Sequence, residues 1–412
     1  MQSHRSFLML QGPQSRFFKR LGSALENQGH RVTKINFCGG DVLSWYGRNT
    51  RVFNKPFFMW QDHVAGLMNE LAITDVLLFG DRRAIHAEAI AEARRRGVRV
   101  YVFEEGYLQP NCITFEEHGV NANSPLPRTA DGIRLLGASL EAIPDVPVIP
   151  NSLKVRVMDT IRHHVGNVCL WSLFPFYRTH RPYVIGRELM GWLPRYLNRK
   201  GRVEKAERMQ ETIFNEDLSY FLYPLQLDSD FQMRLNSSFT DVPDAIRHVL
   251  ISFAGSAPKQ VRLVIKNHPL DNGLIDYESF VGQLIDELGI ADRVVYLDGG
   301  NGKRLLERCR GVVVVNSSMG LEGLLAGRPV YCLGQALYGV PGLAVTPQEL
   351  SLNGFWNDPY QADPELLELF VRVVFHHALV RGNFYTEQGI ATAVEGVLER
   401  LALKAPAQYE EA

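Results

Sequence analysis

Two polar motifs in the second half of the 412-residue chain have the composition and position of a phosphate-binding site. Lys266-Asn267-His268-Pro269 follows one apolar run, and Asn316-Ser317-Ser318 follows a later one. Both motifs are predicted to open helices at the ends of neighbouring parallel strands, where backbone N–H groups and the helix dipole can hold an anion. An imidazole at one motif and paired hydroxyls at the other would stabilise a phosphate leaving group. The pattern favours a transferase that uses a nucleotide-activated sugar.

Residues beside these motifs extend the prediction. Gly320 is expected to let the backbone approach the ligand, and Glu322, one turn into the helix, to accept hydrogen bonds from ribose hydroxyls. Each motif alone has a simpler interpretation, namely a loop histidine that fixes Pro269 or an ordinary serine N-cap. Their joint occurrence behind two buried strands favours the binding interpretation.

Carboxylates in the first third of the chain are candidates for catalysis. Glu104 and Glu105 end a predicted strand and precede Gly106. Because adjacent residues of an extended chain point to opposite faces, one of the two is expected to enter the site, and the sequence does not decide which. A carboxylate there could attack an anomeric carbon or take a proton from an acceptor. Asp81, at another strand end, is predicted as a further catalytic acid or as a helix N-cap.

Four residues that follow strands are predicted to form loops that contact substrate. They are Gln11, Gly12, Tyr107 and Gln226. No metal site is predicted, because no H-x-x-x-H pattern occurs and the five cysteines are scattered without a C-x-x-C pair. No cofactor is expected either.

Composition limits the class of protein. Hydrophobic residues make up 46% and charged residues 22% of the chain, as in soluble globular proteins, and the net charge of −1 argues against a globally basic nucleic-acid binder. The N-terminal apolar run is too short for a signal peptide, and no run is long enough to cross a bilayer. A cytoplasmic protein is therefore expected.

Strands that alternate with helical patterns predict an α/β fold with parallel βαβ units in both halves of the chain. This is the pattern of a GT-B-like architecture, with two Rossmann-like domains whose parallel sheets face an interdomain cleft, plus a helical insert. The predicted divisions are an N-terminal acceptor and catalytic domain at 1–145, a linker and insert at 146–215, a C-terminal nucleotide-sugar domain at 216–385, and a helix at 386–412 that packs back on the first domain.

The insert combines aromatic and basic residues. From Arg178 to Arg208, lysine and arginine outnumber glutamate. Such a segment suits an anionic membrane surface, although a solvated linker or a nucleic-acid surface would have a similar composition. The residues predicted to contact lipid are Arg178, Arg181, Arg187, Trp192 and Arg195.

Several short motifs together resemble the KpsS/LipB-type capsule polysaccharide proteins over roughly residues 6–345. The motifs that carry the resemblance are Leu10-Gln11-Gly12-Pro13 with Phe17-Phe18, Asn36-Phe37-Cys38-Gly39-Gly40-Asp41, Phe79-Gly80-Asp81, Glu104-Glu105-Gly106-Tyr107, Pro224-Leu225-Gln226, His268-Pro269 and Ser317-Ser318. The resemblance implies a GT-B fold and a retaining β-Kdo transferase. It implies CMP-β-Kdo as donor and lyso-phosphatidylglycerol as acceptor, at the inner face of the cytoplasmic membrane, alongside other capsule biosynthesis and export proteins.

The resemblance also implies roles for individual residues. His268, Ser317 and Ser318 match positions that bind the CMP phosphate and ribose, and Glu105 matches the aspartate of an E-D-G motif, a candidate nucleophile. Gln109 stands where the family pattern has an arginine. Other readings stay open: a sialyltransferase-like enzyme that uses another CMP-sugar, a sugar-nucleotide epimerase, or a non-catalytic glycolipid-binding component of a capsule assembly complex.

Overall fold

The structure, a computed structural model, describes residues 4–108, 111–144, 147–179, 185–228, 233 and 235–403. Contacts between residues divide the chain into two compact units. The first comprises Met1–Leu126, Leu140–His180 and Arg372–Ala412, and the second comprises Pro127–Ser139 and Arg181–Val371. These borders differ from those predicted: residues 146–215 are divided between the units, and the second unit ends before residue 385.

The strands lie close to the apolar runs that predicted them. Their bounds are β1 Ser6–Met9, β2 Arg31–Asn36, β3 Thr50–Val52, β4 Asp75–Phe79, β5 Arg99–Glu105, β6 Cys112–Glu117, β7 Tyr220–Pro224, β8 Arg262–Lys266, β9 Val294–Leu297, β10 Gly311–Val314, β11 Val330–Cys332 and β12 Leu379–Arg381. The short strand β3 and the strands β6 and β12 were not predicted.

The helices of eight or more residues in the first part of the chain are α1 Phe17–Asn27, α3 Trp60–Glu70, α4 Ala84–Arg95, α5 Ala130–Gly137, α6 Leu153–Cys169, α7 Ile185–Leu197 and α8 Arg199–Asn215, with the shorter α2 at Gly39–Ser44. In the rest of the chain the helices of eight or more residues are α9 Val242–Ser256, α10 Tyr277–Glu287, α12 Ser318–Leu325, α14 Pro364–Ala378 and α15 Glu387–Leu403, with the shorter α11 at Gly302–Arg308 and α13 at Leu352–Phe355. Among the described residues, none of these helices is long and apolar enough to cross a bilayer.

The first unit is built on a seven-stranded sheet of order β12-β6-β5-β4-β1-β2-β3. Strands β1 to β5 pair in parallel, but β6 pairs antiparallel with β5 and with β12. Helices cover both faces of the sheet. Phe17 of α1 and Val397 of α15 lie in the core on one face, and Trp60 of α3 and Ala93 of α4 lie in the core on the other.

Gly106 permits the chain to turn back from β5 into β6. A Cβ at this position would lie 2.1 Å from the carbonyl oxygen of Cys112, so only glycine permits this approach of two backbone segments. The prediction of a wholly parallel first sheet is therefore wrong at one edge, where β6 and β12 were missed.

The second unit contains a five-stranded parallel sheet of order β11-β10-β7-β8-β9. Its strands are apolar on both faces, as in β10, where every residue is buried. Helices α9 and α10 supply Ile246, Phe253 and Val281 to its core. Two units, each built on a largely parallel sheet covered by helices, confirm the predicted α/β class with two Rossmann-like folds. Strand β7 lies between β8 and β10, so the two phosphate motifs do not follow neighbouring strands as predicted.

Candidate functional site

The carboxyl ends of β7 and β10 in the second unit are joined by a reciprocal amide pair. Gln226 donates from Nε2 to Asn316 Oδ1 at 2.8 Å, and its Oε1 accepts from the Asn316 backbone N–H at 3.1 Å. Gln226 was predicted to contact substrate. In the structure its buried side chain instead fixes the segment that carries the serines.

Lys266 and Asn267 end the neighbouring strand β8, and both are buried. The Lys266 ammonium donates to the Asn267 carbonyl at 3.4 Å. Burial lowers the pKa of Lys266, and the negative charge of Asp298 partly opposes this effect. A cation held in a desolvated position at a strand end interacts strongly with an anion that approaches it.

His268 presents a neutral imidazole. Its Nδ1 accepts the backbone N–H of Leu270 at 3.0 Å, so Nε2 carries the proton and is free of that turn. Burial, together with the charge of Lys266, lowers the pKa of His268 to about 4. The side chain is therefore a neutral N–H donor near pH 7. The exposed Pro269 follows it.

Helix α12 begins at Ser318, the last residue of the serine motif. The hydroxyl of Ser317 accepts the Met319 N–H at 3.3 Å as the N-cap, while Ser318 and Glu322 are exposed. Ser317 is therefore the ordinary N-cap of the simpler interpretation. The hydroxyl of Ser318 lies at the positive end of the helix dipole.

Glycine is needed at position 320 for a different reason from the one predicted. A Cβ there would lie 2.2 Å from the hydroxyl oxygen of Tyr338, which in turn donates to the carbonyl of Ser317. The glycine makes room for a tyrosine that holds the serine turn, and not for a ligand. Tyr338 carried no recognisable motif in the sequence.

Lys266 and Met319 approach the same glycine although β7 separates their strands. A Cβ on Gly302, the first residue of α11, would lie 3.4 Å from Cε of Met319 and 3.6 Å from Cε of Lys266. The charge of Lys266 also acts on His268. Because the carboxyl ends of the parallel strands β8 and β10 meet at one edge of the sheet, His268, Lys266 and the start of α12 lie along that edge, which we call the phosphate edge.

Behind the phosphate edge lies an ion-pair cluster that positions Asn267. Arg195 contacts Asp271 at 3.2 Å and Asp298 at 2.7 Å, and Arg202 contacts Asp298 at 2.7 Å. Asn267 Nδ2 donates to both aspartates.

Arg195 therefore does not have its predicted role as a lipid contact. An arginine with 15% of its side chain exposed and two carboxylate partners is unavailable to a headgroup. Of the other residues predicted to contact lipid, Arg178 and Trp192 are exposed. Arg181 and the side chain of Arg187 lie outside the described residues, as does Gln109.

In the first unit, Gln11 connects the ends of three strands. Its Oε1 accepts from Arg83 at 2.8 Å, and its Nε2 donates to Asp41 at 3.2 Å and lies 3.5 Å from the hydroxyl of Tyr177. Burial lowers the pKa of Arg83, and the nearby charge of Glu104 opposes that shift. Arg83 was not predicted as a site residue, because one arginine of a loop has no distinctive sequence context.

Glu104 and Glu105 lie in the last two positions of β5 and face opposite sides of the sheet. Glu105 accepts from the Tyr385 hydroxyl at 2.6 Å and contacts Arg156 at 3.2 Å. Glu104 lies toward β4, where its Oε2 would be 3.3 Å from a Cβ on Gly80, and it interacts electrostatically with Arg83. The structure thus gives the two carboxylates different surroundings.

Three predicted site residues of the first unit have structural roles. Asp81 is not an N-cap, since α4 begins without a side-chain cap, and its Oδ2 accepts from Val120 N–H and from Asn123. The Tyr107 hydroxyl donates to Glu116 and accepts the Asn121 N–H, both at 2.6 Å.

Gly12 packs against Phe18, whose ring would lie 2.6 Å from an added Cβ. These interactions hold loops, and the substrate contacts predicted for Tyr107 and Gly12 stay predictions.

A cluster of possible metal ligands was missed by sequence reasoning. Cys38, Asp41 and His163 are buried, and one ligand atom of each lies within 4.8 Å of the others. His163 is distant in sequence, which is why spacing did not reveal the group. Asp41 already accepts hydrogen bonds from Phe37 N–H and Gln11, and it interacts with the buried Lys34. Asp41 therefore already has hydrogen-bond donors and a positive charge as partners within the protein.

Polar residues at the carboxyl ends of parallel strands define a class of α/β proteins that bind nucleotides and related ligands at that edge. Over residues 74–385 the chain matches the family model described as capsule polysaccharide biosynthesis protein. It is 33% identical over 390 residues to the capsule polysaccharide export protein KpsS of Escherichia coli. The alignment covers 93% of this chain and 97% of KpsS.

It is also 32% identical over 402 residues to the capsule polysaccharide modification protein LipB of Neisseria meningitidis, with 94% and 93% covered. The chain therefore belongs to the capsule polysaccharide biosynthesis protein family, and the resemblance predicted from its motifs is confirmed.

Among solved structures, the chain is similar to two KpsC domains of Thermosulfurimonas dismutans. One is the β-Kdo 2,7 transferase, with a TM-score of 0.48, 14% identity, and 96% of this chain and 100% of that chain covered. The other is the β-Kdo 2,4 transferase, with a TM-score of 0.44, 17% identity, and 92% and 93% covered.

Proposed function

We propose that the protein is a retaining β-Kdo glycosyltransferase of capsule biosynthesis, which moves Kdo from CMP-β-Kdo to a lyso-phosphatidylglycerol acceptor at the inner membrane surface. Membership of the capsule family and the motif resemblance support this assignment. The observation that carries it is the phosphate edge, where the carboxyl end of β8 bears the neutral imidazole of His268 and the buried Lys266, and the carboxyl end of β10 leads into the start of α12.

The phosphate edge would bind the CMP part of the donor. His268 would donate from Nε2 to a phosphate oxygen without first having to lose a proton, because its pKa of about 4 keeps it neutral. The hydroxyl of Ser318 would donate to another oxygen at the positive end of the α12 dipole, and Glu322 would accept from ribose hydroxyls. As CMP leaves, these groups and Lys266 stabilise the charge that develops on phosphate, so that no metal is required.

The transfer would proceed by two displacements. A carboxylate of the first unit, which we assign to Glu105, forms a bond to the anomeric carbon as the bond to the CMP phosphate breaks. An acceptor hydroxyl then attacks the same carbon, the bond to Glu105 breaks, and the hydroxyl proton passes to a base. Two inversions give retention. Tyr385 donates a hydrogen bond to Glu105 and Arg156 forms an ion pair with it, so both orient the carboxylate in this scheme.

Arg83 offers a partner for the carboxylate that distinguishes Kdo from neutral sugars. Its guanidinium is already oriented by Gln11 and faces Glu104. The donor carboxylate would be a second anion beside Arg83, after Glu104, and it would stabilise the charged guanidinium in its desolvated position. We assign Arg83 to the donor carboxylate in place of the arginine that the family pattern has at position 109.

The test is nucleotide release from a panel of donors: CMP-Kdo, CMP-sialic acid and UDP-sugars. CMP-Kdo alone is expected to be turned over. Glu105→Gln should lower turnover by about 10³-fold or more if it removes the nucleophile, whereas Glu104→Gln should have a smaller effect. Glu395→Gln, on an exposed position of α15, is the matched control.

The outcomes separate the alternatives. Turnover of another CMP-sugar would assign a sialyltransferase-like enzyme, and glycolipid binding without turnover of any donor would assign a non-catalytic component. Near-normal activity of Glu105→Gln with a strong loss in Glu104→Gln would transfer the catalytic role to Glu104.

A further inference from the structure

Helix α6 of the first unit exposes one continuous apolar face. Each of its six apolar residues on this face keeps between 47% and 72% of its surface exposed. They are Leu153, Val157, Met158, Ile161, Val165 and Val168. At 3.6 residues per turn, these positions fall within an arc of about 140°. Surface helices of globular proteins normally bury such an arc against a core.

The apolar face continues beyond the end of the helix. Trp171, Leu173 and Phe176 in the following turns are 70%, 56% and 49% exposed. Together with α6 they form one patch, which we call the α6 patch. Extended apolar patches of this kind on soluble proteins mark binding surfaces.

The opposite face of α6 is fixed by the candidate site of the first unit. Gly166 packs so closely on α2 that an added Cβ would lie 2.7 Å from the carbonyl oxygen of Gly39. Asn167 Oδ1 accepts the Gly40 N–H at 2.8 Å, and Arg156 contacts Glu105 at 3.2 Å. The helix therefore cannot rotate its apolar face inward without breaking contacts to Glu105 and to the Gly40 turn.

Charge on α6 indicates what covers the patch. Lys154 projects with the apolar residues, and Arg156 and Arg162, which are held by Glu105 and by the carbonyl of Leu43, flank them. Asp159 is the one acid of the helix, and with 17% of its side chain exposed it lies on the packed side. A helix with an apolar face, a cationic border and a tryptophan at its end suits the headgroup region of an anionic bilayer.

We propose that the α6 patch docks the protein on an anionic lipid bilayer, with the apolar side chains in the headgroup region and Lys154 on the lipid phosphates. This inference deepens the proposed function and rests on it for one point only, that the acceptor is a lipid. Because α6 contacts Glu105 through Arg156, docking by this face places the candidate carboxylate beside the surface from which a lipid acceptor arrives. The patch takes the place of Arg195 as a predicted lipid contact, while the lipid contacts of Arg178 and Trp192 stay predictions.

The test is flotation of the full-length protein with vesicles of phosphatidylcholine alone or mixed with phosphatidylglycerol. The wild type is expected to float with the mixed vesicles, and less as salt increases. Ile161→Glu/Val165→Glu, which places two charges on the patch, should weaken this binding at least tenfold. Leu135→Glu changes a leucine that is 84% exposed on α5, and it should bind as the wild type does.

Three results would overturn the proposal: undiminished binding by the double variant, equal binding to both kinds of vesicle at all salt concentrations, or wild-type dimers in light scattering that the double variant abolishes. CMP release with a water-soluble, short-chain acceptor separates this proposal from the proposed function. Vesicle binding without release from any donor would contradict the transferase and leave the docking surface standing. CMP release without vesicle binding would contradict the docking surface and leave the transferase standing.

Discussion

Replacement of His268 by glutamine should remove a loss of stability that the wild type shows in acid. The folded protein holds the pKa of His268 at about 4, against 6.5 for an unperturbed histidine. Between these values the unfolded chain binds a proton that the folded chain does not. The free energy of unfolding therefore falls as pH decreases from 6.5 toward 4. Above pH 6.5 His268 is neutral in both states, and no stability is lost.

The size of the effect follows from the shift. A difference of one pKa unit corresponds to about 1.4 kcal/mol, so the two pKa values predict a loss of about 2.5 kcal/mol between pH 7 and pH 4.5. Glutamine is uncharged at both pH values, and its side-chain amide can take the place of the Nε2–H donor. The variant should therefore lack this part of the pH dependence.

The assay is urea unfolding of the wild type and His268→Gln at pH 7 and pH 4.5, with His248→Gln at an exposed position as the control. The comparison of the two pH values within each variant cancels the acid sensitivity of other groups. Equal pH dependence in the wild type and His268→Gln would refute the desolvated imidazole, and with it the neutral donor proposed for the phosphate.

Three further predictions concern packing, the ion-pair cluster and metals. Gly320→Ala should lower the free energy of unfolding by about 1–3 kcal/mol, since its Cβ would meet Tyr338, whereas Gly201→Ala, in an open part of α8, should be neutral or stabilising in the same urea titration. Arg195→Met should cost about 2–3 kcal/mol because Asp271 loses its partner, while Arg199→Met, an exposed neighbour, should be silent; equal stability of the two would contradict the role of the cluster. Dialysis against a chelator should leave donor turnover unchanged, and one tightly held metal ion per chain in elemental analysis would show that Cys38, Asp41 and His163 bind a cation instead.

The strands could be predicted because their sequences are apolar on both faces. Runs such as Val312–Val315 can be buried only inside a sheet covered by helices, and polar residues that follow such runs must lie at the sheet edge. For this reason Lys266, His268 and Ser317 were found without a structure. The hairpin of β5 and β6 was missed, since the approach of Gly106 to Cys112 is a contact between backbones and has no signature in side-chain periodicity.

Roles were less predictable than positions. Gln226, Tyr107 and Asp81 were expected to meet substrate because they follow strands, yet each satisfies a polar group of its own unit. Strand ends have unpaired backbone groups and irregular loops, so they need polar side chains for structure as well as for ligands. Sequence alone does not separate these two needs.

The sequence by itself determined the α/β class, the family and the two strand-end motifs, because these depend on local periodicity and on short runs of residues. The tertiary structure decided which residues share a surface. It set Arg83 beside Glu104, Tyr338 beneath the serine turn, and Arg195 among aspartates rather than lipids. Those pairings join segments far apart in the chain, and their energy comes from burial and charge in three dimensions, which no spacing along the chain encodes.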